Sequence, residues 1–228
     1  ANYVMVSGRT DIRENLTKCI DRITIDEVYS DTLAPIAMSD ALLSDDDRIK
    51  GVIHINFGAA TTTVTVYQAN YLRHLAVVPF GGKHITSDLC TVLNFTQSEA
   101  ESIKKEKGTP VIAKAKGRQI SMRIKPGVEP RKVQLEEVAN VIEARLSEIV
   151  GLCMKEVERS GFMNEINNGI VVSGATTRMA DFSEFLATTT GMKVRFGSLS
   201  HLVSGEYPDP DIEYPLLVGL LLKATEVS

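Results

Sequence analysis

Gly51-Val52-Ile53-His54-Ile55-Asn56-Phe57-Gly58-Ala59-Ala60-Thr61-Thr62-Thr63-Val64-Thr65-Val66-Tyr67 is the stretch that decides how this chain folds. Val52 to Phe57 is a continuous, largely apolar run closed by Gly58, and Thr61 to Tyr67 is rich in β-branched residues, whose stiff side chains suit a pleated strand. Tyr71 to Val78 is a third such run, ending in Pro79-Phe80-Gly81-Gly82. Short turns separate the three, which predicts an antiparallel meander. Between the first two strands, small residues let backbone N–H groups approach an anion, and the threonines add hydroxyl donors. A plain β-hairpin explains the same residues.

Upstream, Asp11 to Arg22 has helical spacing, with Thr10 as N-cap and Ile12, Leu16, Cys19 and Ile20 on one side. A short strand is expected over Ile25 to Tyr29, a helix over Ala34 to Leu43, and a surface acidic turn at Ser44-Asp45-Asp46-Asp47. Downstream, a helix starts near Lys83 with Ile85, Leu89 and Val92 facing inward. Thr96-Gln97-Ser98-Glu99 is a capping box opening a helix to Lys107, where Gly108 stops it. Val111 to Lys125 reads as a hairpin about Lys116-Gly117, and Val128 to Val133 as a connector. Gln134 to Ser160 is the strongest helix, with Leu135, Val138, Ala139, Ile142, Leu146, Ile149, Cys153 and Val157 at steps of three and four. Gly169 to Val172 is a strand that meets Ser173-Gly174-Ala175-Thr176. A helix over Met179 to Thr189 follows, then a strand over Lys193 to Phe196, a loop from Gly205 to Asp211 and a helix over Tyr214 to Ala224. The turn after Ser173 places a helix N-terminus where phosphate or ribose can sit. An ordinary strand-to-helix turn accounts for it equally well.

The 228 residues carry a net charge of −4, which argues against a dedicated nucleic-acid binder. Cys19, Cys90 and Cys153 are scattered singly and read as buried hydrophobes of a reduced protein. His54, His74, His84 and His201 lack ligand spacing and read as structural or surface groups. No run reaches the ~18 apolar residues of a membrane span. The opening Ala1-Asn2-Tyr3-Val4-Met5-Val6, with no initiator methionine, suggests a trimmed chain.

In order, these parts resemble the actin/Hsp70/sugar-kinase superfamily. Residues 51–67, Leu72 to Gly82, His84 to Asp88, Glu99-Ala-Glu-Ser-Ile-Lys104, Gly169 to Gly174 and Pro215 to Leu221 resemble specifically the bacterial cell-division family FtsA. The resemblance implies an α/β, actin-like (ribonuclease-H-like) mixed sheet with flanking helices and an inserted α+β subdomain. Residues 1–49 would end a small subdomain and supply the second half of subdomain 1A. Residues 50–90 and 166–207 would form subdomain 2A, 91–165 subdomain 2B, and 208–228 a closing loop and helix. The family's first phosphate hairpin would precede Ala1, and its membrane-targeting amphipathic helix would lie outside the chain.

It further implies ATP with Mg²⁺ as ligand. Amides around Gly58, Ala59, Ala60 and Thr61 would hold the β- and γ-phosphates, helped by the Thr61 and Thr62 hydroxyls, with Asn56 beside them. Glu101 and Lys104 would face ribose and adenine, although an exposed helical ion pair fits them as well. Gly174, Ala175 and Thr176 would approach the α-phosphate and adenosine. Implied partners are the C-terminal tail of FtsZ, docking on subdomain 2B near Lys104, Lys105, Lys107, Lys114, Lys116 and Arg118, and further copies of the chain in filaments. Implied location is the cytoplasmic face of the membrane at the division site, with membrane contact only through a segment absent from this chain.

The family hairpin reads Asp-x-Gly-Gly-Gly-Thr-Thr-Asp, whereas this chain has Asn56, Ala59, Ala60 and Thr63 at four of those places, and Ala175 where glycine is usual in the second turn. Asn56 lacks the charge to steady hydrated Mg²⁺, and a Cβ at any site needing φ > 0 is costly. ATP binding is expected to be weakened and ATPase activity weak at most. A nucleotide-free scaffold of the same fold stays open, as does, further off, a kinase or phosphatase, which needs a carboxylate base that Asn56 and Thr63 do not provide.

Overall fold

The computed structural model describes residues 10–22, 32–122, 131–204, 211 and 214–226. One five-stranded mixed sheet has the order β3-β2-β1-β6-β7. Its centre is β1 (Val52–Phe57), antiparallel to β2 (Thr62–Gln68), which is antiparallel to β3 (Tyr71–Val78). On its other side β1 runs parallel to β6 (Ile170–Ser173), and β6 parallel to β7 (Val194–Phe196). The meander follows the β-branched runs. Its second turn uses Ala69 and Asn70 at φ 52° and 65°, the left-handed pair that a two-residue hairpin demands.

Side chains alternate along β1. Ile53, Ile55 and Phe57 enter the main core, while Val52 and His54 face the opposite layer. Both faces are covered, so β1 is buried on both, with the polar His54 on the second. The main-core side carries α4 (Gly82–Leu93), α7 (Leu135–Arg159) and α8 (Phe182–Thr190), with Phe182 edge-on to Phe57 at 4.9 Å. The other side carries α2 (Ala34–Leu42), α3 (Asp45–Lys50) and the C-terminal helix α9 (Pro215–Glu226). Beyond α4 and α7 lie α5 (Gln97–Lys107), α6 (Ile112–Ala115) and a two-stranded ribbon of β4 (Gln119–Met122) and β5 (Arg131–Gln134). All eight predicted core positions of α7 are buried. Each large aliphatic among them contributes about 1.5–3 kcal/mol by leaving water.

Several expectations are corrected. Ser44 to Asp47 is the start of α3 rather than an acidic loop. Ser44 Oγ accepts from Asp47 N at 3.2 Å while Asp47 Oδ2 accepts from Ser44 N at 2.9 Å, and three acids in the first turn suit the helix dipole. The hairpin about Lys116-Gly117 does not form: residues 112–115 are helical, and β4 pairs instead with β5, drawn from the supposed connector. Val92 is 64% exposed, and of the three cysteines only Cys153 is buried. The helix α1 (Thr10–Ile20) turns Leu16 and Cys19 to solvent. The helix expected from Met179 begins at Phe182, after a 3-10 turn over Ala175–Arg178 and a left-handed Asp181. The strand expected at 25–29 lies outside the described residues. No described helix is long and apolar enough to cross a membrane.

Candidate functional site

Strands β1, β3 and β6 point the same way, so their C-terminal ends share one edge of the sheet, where open α/β sheets present ligands. The chain leaves β1 through residues 58–61, β3 through residues 79–81 into α4, and β6 through residues 174–176. The Gly58 carbonyl ties the three bends together. It accepts from Gly82 N at 3.0 Å and from Thr176 Oγ1 at 3.1 Å, while Lys83 N donates to Ala59 O at 2.8 Å. Close approach requires glycine at 174, which has φ 96°; a Cβ there would meet Phe57 O at 2.5 Å and Asn56 Oδ1 at 2.6 Å.

Between these bends and α5 lies a cleft of about 560 Å³. Of the residues singled out from sequence, Ala59, Glu101, Lys104, Ala175 and Thr176 line it. Gly82, Lys83, Gln97, Lys105, Arg178 and Met179 line it too and were missed. Gly82 and Lys83 could have been found from the Gly-Gly end of β3 meeting a helix start. Arg178 and Met179 carried no such signal.

The other predicted residues are placed differently. Gly58 N is spent inside the hairpin on Thr61 O at 3.1 Å. Thr62 is buried, and its hydroxyl donates to Phe80 O at 2.8 Å, away from the cleft. Asn56 Oδ1 accepts from Ser173 Oγ at 3.2 Å. Ala59, Ala60 and Thr61 form the exposed tip, and no other described backbone group takes up their N–H donors. The strain expected from alanine is absent: among described non-glycine residues positive φ is confined to Ala69, Asn70, Asn94 and Asp181.

Glu101 and Lys104 sit on one face of α5, which starts at the predicted capping box. Lys104 is only 11% exposed; its Nζ donates to Glu101 Oε2 at 2.6 Å, Thr86 Oγ1 at 2.8 Å and Gly82 O at 3.1 Å. Thr86 Oγ1 also lies 2.6 Å from Glu101 Oε2. Lys104 therefore leaves the solvated basic face, whereas Lys114 stays exposed while it pairs with Asp181 and Glu184 and joins α6 to α8. Partial burial acts to raise the Glu101 pKa, but the bonds from Lys104 and Thr86 outweigh it and bring it from 4.5 to about 2. A carboxyl with a depressed folded pKa stabilises the fold above its unfolded value and loses that contribution as pH falls through the folded one. The stability difference between the wild type and Glu101→Gln should hold steady above pH 4.5 and shrink to nothing toward pH 2 in denaturant melts. A difference independent of pH would refute the pairing.

Four cationic side chains, Lys83, Lys104, Lys105 and Arg178, surround the single cleft carboxylate, which is itself neutralised. With the unspent tip amides, this donor set fits a polyphosphate. It does not fit a protein-held magnesium ion: no described cluster of His, Cys, Asp and Glu could hold a metal, and Glu101 is engaged.

The sheet order, the crossing bends and the cleft define an actin-like protein. The chain superposes on MreB5 of Spiroplasma citri, solved bound to ADP, with a TM-score of 0.75 over 97% of this chain and 67% of that one, at 19% identity. Residues 53–212 match the family described as "Cell division protein FtsA", and the chain belongs to that family. It is 33% identical over 201 residues to FtsA of Neisseria meningitidis serogroup B and 30% identical over 199 residues to FtsA of Bacillus subtilis. These alignments cover 85% and 87% of this chain but 47% and 45% of the relatives, so the chain spans about half their length. It is an actin-like cell-division protein, as the sequence resemblance implied.

Proposed function

We propose that the chain binds ATP or ADP in this cleft and works as an assembly element of the division machinery, linking an FtsZ ring to the membrane and to further divisome proteins. The observation that carries the reading is the Gly58 carbonyl gathering donors from two other bends, which leaves the tip amides beside a cationic cleft. The tip amides of Ala59, Ala60 and Thr61 would take the terminal phosphates, and Gly174, Ala175 and Thr176 the nucleoside side. Lys104, held by Glu101, would reach ribose or base. The sheet would correspond to subdomain 2A and the α5–β5 region to subdomain 2B. Hydrolysis would be slow or absent, since neither Asn56 nor Thr63 offers a general base. The exposed Lys105, Lys107, Lys116 and Arg118 would receive the acidic FtsZ tail, and copies would assemble into filaments. The protein would work at the cytoplasmic face of the membrane, attached through a segment outside the described residues, with no role for nucleic acid.

Calorimetric titration with ATP and ADP tests the core of this, with expected Kd values of roughly 1–100 μM, about −8 to −5.5 kcal/mol. Absence of binding at millimolar nucleotide would leave the nucleotide-free scaffold as the reading. An FtsZ C-terminal peptide should bind and weaken on Lys105→Glu/Lys107→Glu; equal affinity for both proteins would remove the docking assignment.

A further inference from the structure

The first turn of α4 borders the cleft, and a helix start commonly receives phosphate because its first N–H groups have no partner inside the helix. Here that capacity is consumed. Gly81 N donates to His84 Nδ1 at 3.0 Å, Gly82 N to Gly58 O at 3.0 Å, Lys83 N to Ala59 O at 2.8 Å and His84 N to Gly81 O at 2.9 Å. The His84 ring takes the donor at the cap, and the hairpin takes the next two. No N–H of residues 81–84 is left for an anion, so from this turn only a side chain can meet one.

Gly82 has no side chain, His84 is turned back on Gly81, and Thr86 is held between Glu101 and Lys104. Lys83 is different. It is exposed, lines the cleft, and its ammonium makes no hydrogen bond or ion pair with any described residue. By contrast, Lys104 Nζ spends its donors on Glu101, Thr86 and Gly82 O, and Lys105 Nζ lies 3.3 Å from Glu101 Oε1. The bond from Lys83 N to Ala59 O also fixes where the free ammonium starts. It sets the Lys83 backbone against the tip whose amides stay open, and a flexible four-carbon stem can swing the charge over them.

We propose that Lys83 binds the β- and γ-phosphates together with the tip amides, so that affinity follows the number of phosphates. This rests on the nucleotide reading above and deepens it, because it names the group that separates di- and triphosphate from monophosphate. The hairpin brings N–H and hydroxyl donors but no positive charge; Lys83, on the neighbouring helix, brings the charge that strengthens bonds to phosphate.

The test is calorimetric titration with ATP, and with AMP by competition, in excess Mg²⁺, for the wild type, Lys83→Gln, Lys83→Arg and Lys155→Gln. Lys155 is an exposed residue of α7 outside the cleft and controls for the change in net charge. Lys83→Gln is expected to weaken ATP by about tenfold, a charge-assisted bond made partly in water, and to leave AMP within about twofold. Lys83→Arg keeps the charge and should hold ATP within about threefold of the wild type. Lys155→Gln should match the wild type with both ligands. Unchanged ATP affinity in Lys83→Gln, an equal loss with AMP, or an equal loss in Lys155→Gln overturns the proposal while the nucleotide reading stands. A wild type that binds neither ligand removes both. Urea midpoints separate binding from folding. Lys83 has no ion pair to lose, so its Gln variant should keep the wild-type midpoint, and a fall large enough to explain the lost ATP binding also overturns the proposal.

Discussion

Gly174→Ala is expected to abolish detectable nucleotide binding and to lower stability by about 2–4 kcal/mol, the sum of left-handed backbone strain and a steric clash. The residue has φ 96°, and its new Cβ would stand 2.5 Å from Phe57 O and 2.6 Å from Asn56 Oδ1. Neither neighbour can give way cheaply, because both end the central strand, which is paired on each side. Relief must come from parting β1 and β6 at their C-terminal ends, and that pulls Thr176 Oγ1 off the Gly58 carbonyl. Gly151→Ala is the matched control. It lies in α7 with nothing within 4 Å of an added Cβ and should stabilise by roughly 0.5–1 kcal/mol. Urea midpoints and calorimetry read both effects. A Gly174→Ala protein as stable as the wild type and still binding ATP would refute the junction as the basis of the site.

Lys104→Ala is expected to weaken ATP binding 10- to 100-fold, about 1.4–2.8 kcal/mol. The ammonium is the partner that neutralises Glu101, and it also anchors Gly82 O in the third bend. Without it the cleft carboxylate keeps only the more exposed Lys105 at 3.3 Å, and its charge repels phosphate. Adding Glu101→Gln should therefore recover part of the loss, a coupling that a double-mutant cycle measures directly. Lys107→Ala, on the exposed end of the same helix, should leave affinity unchanged. Equal Kd values for the Lys104 and Lys107 variants would remove Lys104 from the site.

Much of this architecture was legible beforehand, for local reasons. The β-branched run at 62–67, with Gly58 ahead of it and Gly81-Gly82 after the third strand, marked the meander, and the apolar stripe from Leu135 to Val157 marked the face of α7 that is buried. Thr96 and Glu99 announced α5, and the caps formed as read. The misreadings share a cause. Lys116-Gly117 does mark a turn, but a turn signal does not say what it joins, and β4 finds its partner in residues 131–134, beyond the expected hairpin. Ser44 and Asp47 hold a capping pattern that the surrounding acids disguised as a solvated loop.

The sequence by itself determined the strands, the long helix and the small-residue bends, because backbone preference and periodic burial act over a few neighbouring residues. It also carried the family likeness. Only the tertiary structure decided that the bends meet on one carbonyl, that Thr62 turns its hydroxyl inward, that Lys104 leaves the surface for the cleft and that Asn56 ends a buried polar line. The first and last of these depend on the parallel pairing of β1 with β6, strands more than a hundred residues apart, and the others on how β3 and α5 meet α4; no local preference encodes which hydrogen-bond partners such packing brings within reach.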